Sequence, residues 1–165
     1  MNKSVKMMSA VILSALCFQA SAEDMLKVST IGYELARDMA NAALLECRKQ
    51  GYQVSVAVVD RNGNLRVAVR DDLAPRFTLE IAERKANTVI MSGINSGEFV
   101  KNRGDIKQEL NHIDGLIMMQ GGVLIEAGGI RLGAMGISGA PGGDKDENCA
   151  KVALKLLEER LEFAE

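Results

Sequence analysis

The side chains best suited to binding a metal are the single histidine, His112, and several methionines. His112 lies in an irregular stretch, residues 95–114, which is rich in glycine, asparagine and charge, and Met118 and Met119 follow it. A neutral imidazole is a common metal ligand, and methionine supplies a thioether or a soft apolar lining. These three residues are candidates for a binding site. The alternatives are a surface or capping role for the histidine and core packing for the methionines.

Positive side chains concentrate around residues 66–85. The cluster comprises Arg66, Arg70, Arg76, Arg84 and Lys85. Guanidinium groups bind carboxylates through paired hydrogen bonds. The cluster therefore predicts a carboxylate-binding surface led by Arg70 and Lys85, or else a solvated basic face paired with neighbouring Asp and Glu residues.

Familiar catalytic patterns are missing from the sequence. One histidine without a serine or cysteine motif gives no triad, and no spacing of His, Cys and Asp forms a zinc or iron site. Aromatic residues are few and tryptophan is absent, which argues against a base-stacking surface for nucleic acid. The residues favour a binding protein over an enzyme.

Residues 1–22 have the three parts of a cleavable secretory signal peptide. Two lysines precede an uncharged apolar stretch at residues 7–18, and the small residues Ala20 and Ala22 follow it. The apolar stretch is shorter than the ~20 residues that a membrane-spanning helix needs. We predict cleavage near Ala22 and a periplasmic or secreted chain, residues 23–165, without a stable membrane anchor.

The mature chain has the length of a single domain that can bury a sizeable core. The whole chain carries 20 Lys and Arg against 22 Asp and Glu, a balance that does not suggest a nucleic-acid partner. Two cysteines remain after cleavage, Cys47 and Cys149. In an oxidising compartment they predict a disulfide, and the alternative is two buried free thiols.

Hydrophobic periodicity predicts the element order α, β-hairpin, α, loop, β-hairpin, α. The first helix is predicted over residues 29–50, with Ser29 or Thr30 as its cap, and the second ends near Gly93. Turns are expected at residues 60–64 and 127–129.

Strands that are joined by hairpins imply an antiparallel sheet with helices packed on it, which is the α+β class. The last helix is predicted to start at Asp144 or Asp146. If it packs antiparallel beside the first helix, Cys47 lies near Cys149, and the disulfide prediction rests on that geometry.

Several stretches together resemble the GlcG/HbpS family, also called the haem-degrading or DUF336 domain. They are residues 56–65, 82–88, 121–123, 133–140 and 146–150. The most specific parts are the Asp-x-x-Gly turn, the Lys-Ala pair of the second helix and the Gly-x-x-Gly-x-Ser-Gly-Ala strand. The likeness spans nearly the whole mature chain. One departure is Leu124, where members commonly have proline.

This resemblance implies a profilin-like α-β-α sandwich that tends to form homo-oligomers. Some members bind haem, whereas others accompany glycolate or diol metabolism without a settled activity. Haem is then the expected cofactor, and the candidates that residue chemistry offers for it are His112 as iron ligand and Met118 and Met119 as lining of the ring. Arg70 and Lys85 match basic positions of the family and would hold the propionates. Haem-ligand positions differ among members, so no ligand is carried over from the family to a matched position.

The leading hypothesis is an exported haem-binding protein that stores, senses or sequesters haem. A second hypothesis is a protein that binds or processes a small hydroxy acid or similar carboxylate through Arg70 and Lys85. A third is a structural module whose oligomer is its main product.

Overall fold

The structure is a computed structural model that describes residues 26–162, so the predicted signal peptide lies outside the described residues. The strands are β1 (Ser55–Asp60), β2 (Leu65–Arg70), β3 (Gly122–Ala127) and β4 (Ile130–Ser138). The longer helices are α1 (Tyr33–Lys49), α2 (Phe77–Ser92) and α5 (Gly143–Leu156). The short helices are α3 (Ser96–Asn102), α4 (Lys107–Leu110) and α6 (Glu158–Glu162), with a 3-10 turn at Gly104–Ile106.

The four strands form one antiparallel sheet in the order β2-β1-β4-β3. Each hairpin supplies one half of the sheet, and β1 pairs with β4 in the middle, from Ser55 opposite Ser138 to Asp60 opposite Gly133. This arrangement confirms the predicted α+β class. It also makes β2 and β3 the two edges of the sheet.

Helices cover both faces of the sheet. On one face, α1 packs over β1 and β2, and α5 packs over β3 and β4. Their small side chains, such as Ala36, Ala43 and Ala150, meet the larger Val56 and Ile137 of the strands in the main core. On the other face, α2 packs over β1, β4 and β3. The result is an α-β-α sandwich.

Glycines in the sheet allow α2 to approach closely. A side chain at Gly136 would overlap the carbonyl oxygen of Ala82, and one at Gly122 would lie 2.7 Å from the carbonyl oxygen of Lys85. Both contacts are with the backbone of α2, which cannot move aside as a flexible side chain can. The glycines that the sequence places inside β3 and β4 therefore set the distance between helix and sheet.

The first helix begins later than its periodicity predicts. Gly32 is its N-cap, without a side-chain hydrogen bond, so the prediction of Ser29 or Thr30 as cap is wrong. The preceding residues are extended because the amide of Ile31 donates to the carbonyl of Leu132, at 3.0 Å. This contact with β4 holds the chain outside the helix.

The first and last long helices lie side by side, and a disulfide joins them. Cys47, near the end of α1, is bonded to Cys149 in the first half of α5, with the Cα atoms 5.5 Å apart. Both cysteines are fully buried in the main core. Within residues 26–162, no helix is long and apolar enough to span a membrane.

Candidate functional site

One strand, β2, is covered by a helix on only one side of the sheet. Ala68 lies opposite Ala57, and Arg70 lies opposite Ser55. Ser55 faces α2, because its hydroxyl oxygen is 2.8 Å from that of Thr78. Ala68 and Arg70 therefore also point to the α2 side, but both are exposed, since α2 hardly reaches β2. This leaves an open depression between the strand and the helix.

One face of α2 forms the wall of this depression. Asn87 faces the β1–β2 turn, because a side chain at Gly63 would lie 3.4 Å from its Oδ1 atom. Leu79 and Glu83 lie two turns and one turn earlier on the same helix face, and all three residues are partly buried. The β2–α2 groove is defined here by Ala68, Arg70, Leu79, Glu83 and Asn87.

A further basic side chain lies on the same strand. The register of β1 and β2 shifts between Val58 and Val59, which leaves Arg66 as the extra, exposed residue of a bulge. Arg70 donates from Nη1 to the carbonyl oxygen of Ala74, at 2.5 Å, which steadies its side chain at one end of the groove. The groove thus has a small apolar floor with guanidinium groups beside it.

A cavity of about 290 Å³ adjoins the groove at the β1–β2 turn. Its lining comprises Asn62, Gly63, Asn87, Ile90, Met91, Asp114, Gly115 and Leu116. Asn87 therefore belongs to both the groove and the cavity. Its amide nitrogen donates to the carbonyl of Gly115, at 3.3 Å, while its buried Oδ1 has no hydrogen-bond partner among the described residues.

The segment that lines one side of this cavity, residues 111–119, is anchored by side-chain hydrogen bonds. The hydroxyl oxygen of Thr88 accepts from the amide of Ile117, at 3.1 Å. The Oδ1 atom of Asn111 accepts from the amide of Met118, at 2.8 Å. These bonds fold the segment back on itself and hold it against the second half of α2.

The predicted site residues separate into two groups. His112 and Met119 are exposed on the 111–119 segment, and Arg70 is exposed in the groove. Met118 is buried, with 1% of its surface accessible, and Lys85 is equally buried. The structure therefore brings His112, Met119 and Arg70 to the surface and places the other two inside the protein.

Lys85 is held by two buried acceptors. Its Nζ atom donates to Oδ2 of Asp146 and to the carbonyl oxygen of Ile137, each at 2.8 Å. Oδ1 of Asp146 accepts from the amide of Ala140, at 3.0 Å. Burial raises the pKa of Asp146, and the attraction of Lys85 opposes that rise. This arrangement ties α2 to β4 and α5 and leaves Lys85 no access to a ligand in the groove.

A second cavity lies at the other edge of the sheet. It has a volume of about 460 Å³ and is lined by Leu124, Glu126, Ala127, Gly128, Leu154, Lys155, Glu158, Leu161 and Glu162. Three carboxylates against one lysine make this cavity less suited to an anionic ligand than the groove is. None of the predicted ligand-binding residues lines either cavity, but Arg70 belongs to the groove that adjoins the smaller one.

The sequence identified His112, Met119 and Arg70 as candidates by their chemical type alone. It did not identify the uncharged residues of the groove. Ala68, Leu79 and Asn87 have no distinctive chemistry, and only the sheet order exposes them. One signal was present: arginines at alternating positions of β2 with an alanine between them indicate that this face is solvated. Among residues 26–162, no group of three or more His, Cys, Asp or Glu side chains could hold a metal ion.

The sandwich and its open groove define a small α+β protein with a surface suited to ligand binding. The chain belongs to the family described as haem degrading protein HbpS-like, whose sequence model matches residues 31–155. This match confirms the resemblance stated from the sequence.

Solved structures agree with this assignment. A crystal structure of HbpS is 36% identical and has a TM-score of 0.76, with 81% of this chain and 94% of that chain covered. A double mutant of HbpS from Streptomyces reticuli is 30% identical and has a TM-score of 0.77, with 94% and 99% covered.

A protein crystallised as the PduOC:heme complex shares the fold. It is 23% identical and has a TM-score of 0.69, with 76% of this chain and 94% of that chain covered. A search of curated proteins found no match.

Proposed function

We propose that this protein binds haem in the β2–α2 groove and its adjoining cavity. Membership of the HbpS-like family carries the proposal. The PduOC:heme complex supports it further, because a protein of this fold has been crystallised with haem. When bound, haem supplies a redox-active iron and a strong Soret absorption band.

The proposed donors are taken from this surface and from the segment beside it. His112, two residues before the cavity-lining Asp114, offers an exposed imidazole, the usual side chain at the proximal position of haem iron. Arg66 and Arg70 offer exposed guanidinium groups for the two propionates. Met91 and Leu116 line the cavity with apolar surface for the porphyrin. Lys85 and Met118 have no part in this site, because both are buried.

The cellular role proposed is that of an exported haem carrier, reservoir or sensor. The support is the signal-peptide pattern of residues 1–22, together with a disulfide of the kind that oxidising compartments favour. N-terminal sequencing of the protein recovered from the periplasm or medium is expected to begin at Glu23. Recovery of the full chain from the cytoplasm alone would contradict export.

A haem titration of residues 23–165, followed by absorbance, tests the binding proposal. A saturable Soret band at a fixed stoichiometry is expected. His112→Ala should shift the band and weaken binding by about tenfold or more, because it removes the iron ligand. Arg70→Ala should weaken binding without shifting the band. The exposed Lys107→Ala and Arg103→Ala are the matched controls.

Absence of saturation would overturn haem binding, and glycolate or a similar hydroxy acid would then be the ligand class to screen by thermal shift. An unchanged spectrum in His112→Ala would exclude this residue as the ligand. Adding a reductant in air separates binding from degradation. The Soret band of a carrier persists under these conditions, whereas that of a degrading enzyme decays over successive turnovers.

A further inference from the structure

The edge of β3 is covered along only the first half of its length. The amides of Gly122 and Leu124 donate to the side chains of Ser96 and Asn95, each at 2.8 Å. Asn95 and Ser96 lie at the start of α3, which therefore covers this half of the edge. Within residues 26–162, no side-chain hydrogen bond of this kind reaches Glu126, in the second half. That part of the edge is left open.

The backbone groups of Glu126 point away from the sheet. Residues of an antiparallel strand alternate between those that bond the neighbouring strand and those that point outward. Gly122 and Leu124 point outward, since their amides reach α3, and Glu126 is the next residue in this alternation. The register shift beside it skips Leu132 of β4, so the extra residue lies on β4 and the alternation along β3 continues. The carbonyl of Leu124 and both backbone groups of Glu126 can therefore pair with another strand.

The cavity of about 460 Å³ follows this open half of the edge. Its lining comes from both faces of the sheet. Leu124 packs against the cluster beneath α2, whereas Leu154 and Leu161 pack with the main core on the other face. A cavity bounded in this way extends around the edge of β3. A strand added beside Glu126 would place alternate side chains against the two leucines of the main core.

The rim of this cavity is acidic. Glu126, Glu158 and Glu162 are exposed carboxylates, and Lys155 is the only basic residue among the described residues of the lining. A complementary partner carries positive charge. Two β3 edges facing each other would instead bring two sets of these carboxylates together, and like charges oppose such pairing. The rim therefore favours a basic partner over the same edge of a second copy.

We infer that the open half of β3 binds an extended peptide of another protein, in which basic residues alternate with apolar ones. Its main chain bonds Leu124 and Glu126, its apolar side chains enter the cavity, and its basic side chains meet the acidic rim. In this mode of recognition, main-chain bonds supply affinity and side-chain pockets supply specificity. The sheet order places this site at the opposite edge from the β2–α2 groove, so the peptide and haem bind independently.

Fluorescence anisotropy with residues 23–165 and a labelled peptide, Lys-Val-Lys-Leu-Lys-Val-Lys, tests the inference. Saturable binding is expected, and the charge-reversed peptide Glu-Val-Glu-Leu-Glu-Val-Glu should bind at least about tenfold more weakly. Glu126→Gln removes one charge, whereas Glu126→Pro also removes the outward amide. Affinity for the lysine peptide should fall in the first variant and by a further factor of about ten in the second. Glu109→Gln, exposed on α4, is the control and should bind as the native chain does.

Backbone pairing can also be tested on the peptide alone, without any change to the protein. Only alternate amides of an added strand face β3. Of two lysine peptides, one N-methylated at its lysines and one at its apolar residues, only one should therefore lose binding. Equal effects of the two methylations would overturn strand pairing. Equal affinities of folded Glu126→Gln and Glu126→Pro would do the same, with circular dichroism establishing that both variants are folded.

Absence of saturable binding of the lysine peptide would overturn the inference. Binding that appears only in a chain ending at Glu162 would overturn it as well, because the last three residues would then be the natural occupant of the cavity. Self-association of the native chain that Glu126→Pro abolishes would assign this edge to a second copy instead. Haem titration of Glu126→Pro should match that of the native chain. The peptide site and the proposed haem site can thus fail separately.

Discussion

Lys85 and Asp146 form an ion pair inside the protein, with the Nζ and Oδ2 atoms 2.8 Å apart and only 1% and 4% of the side chains exposed. The two residues belong to helices on opposite faces of the sheet. Lys85 reaches past the end of β4, where it also contacts the carbonyl of Ile137. The pair thus fastens the two helical layers to each other at one end of the sandwich.

Breaking this pair is expected to destabilise the fold strongly. Lys85→Met leaves the carboxyl group of Asp146 buried without its partner and should lower the free energy of unfolding by about 3–5 kcal/mol. Urea denaturation measures the change. Lys49→Met is the control, since Lys49 pairs with Glu46 at the surface and should cost less than about 1 kcal/mol. Equal losses in Lys85→Met and Lys49→Met would contradict a role for burial.

The pH dependence of stability should have opposite signs at two buried carboxyls. The hydrogen bond from Arg48 lowers the pKa of Asp71 below its ordinary value of 3.8, whereas burial raises the pKa of Asp146 above 3.8. The contribution of Asp71 is present above pH 3.8 and is lost as the pH falls through its folded-state pKa. That of Asp146 is present below pH 3.8 and is lost as the pH rises through its folded-state pKa.

Unfolding free energies measured at several pH values, roughly pH 3 to 7, test the opposite pH dependences expected for the two carboxyls. The difference between the native chain and Asp71→Asn should grow with rising pH. The difference between the native chain and Asp146→Asn should shrink. Slopes of the same sign would show that one of the two environments is misassigned.

The disulfide should make a large contribution to stability. It closes a loop of 102 residues between Cys47 and Cys149, which restricts the unfolded chain. Replacing both cysteines with serine should cost about 2–5 kcal/mol. The melting temperature of the native chain should fall on addition of reductant, while that of the double variant should not change. Free thiols in the unreduced, denatured protein would show that the bond had not formed.

Gly136 is expected to tolerate no side chain. A methyl group there would collide with the carbonyl oxygen of Ala82 and push α2 away from the sheet. Gly136→Ala should therefore cost about 1–3 kcal/mol, the usual range for overpacking. Gly104→Ala is the control, because no atom lies within 4 Å of its added methyl group, and it should change stability by less than about 0.5 kcal/mol. Similar thermal melts for the two variants would rule out this close contact.

The order and type of the main elements followed from local patterns in the sequence. Apolar spacing located α1, α2 and α5, and turn residues located both hairpins. The start of α1 was misplaced because the bond between Ile31 and Leu132 joins residues far apart in the chain. The partner of Lys85 was missed for the same reason, since Asp146 lies 61 residues away. Local periodicity carries no information about such contacts.

The candidate site was only partly visible in the sequence. His112 and Arg70 stand out by chemical type, but their neighbours are set by the sheet order, which leaves one face of β2 without a helix. Met118 and Met119 are chemically identical, yet one is buried and the other is exposed. Exposure at these adjacent positions depends on how the hydrogen bond from the amide of Met118 to Oδ1 of Asn111 folds the segment back.

The central pairing of β1 with β4 also determines how quickly the sheet can assemble. Each hairpin can close through its own short turn, within microseconds for an isolated hairpin. The ladder between Ser55 and Ser138 instead requires closure of the long intervening chain, whose entropy must be lost before any of its bonds form. Folding rates fall as such sequence-distant contacts increase. We therefore expect pairing of the two hairpins to limit the folding rate. In a chain that refolds with its disulfide intact, the link between α1 and α5 should speed this step by keeping the two halves together.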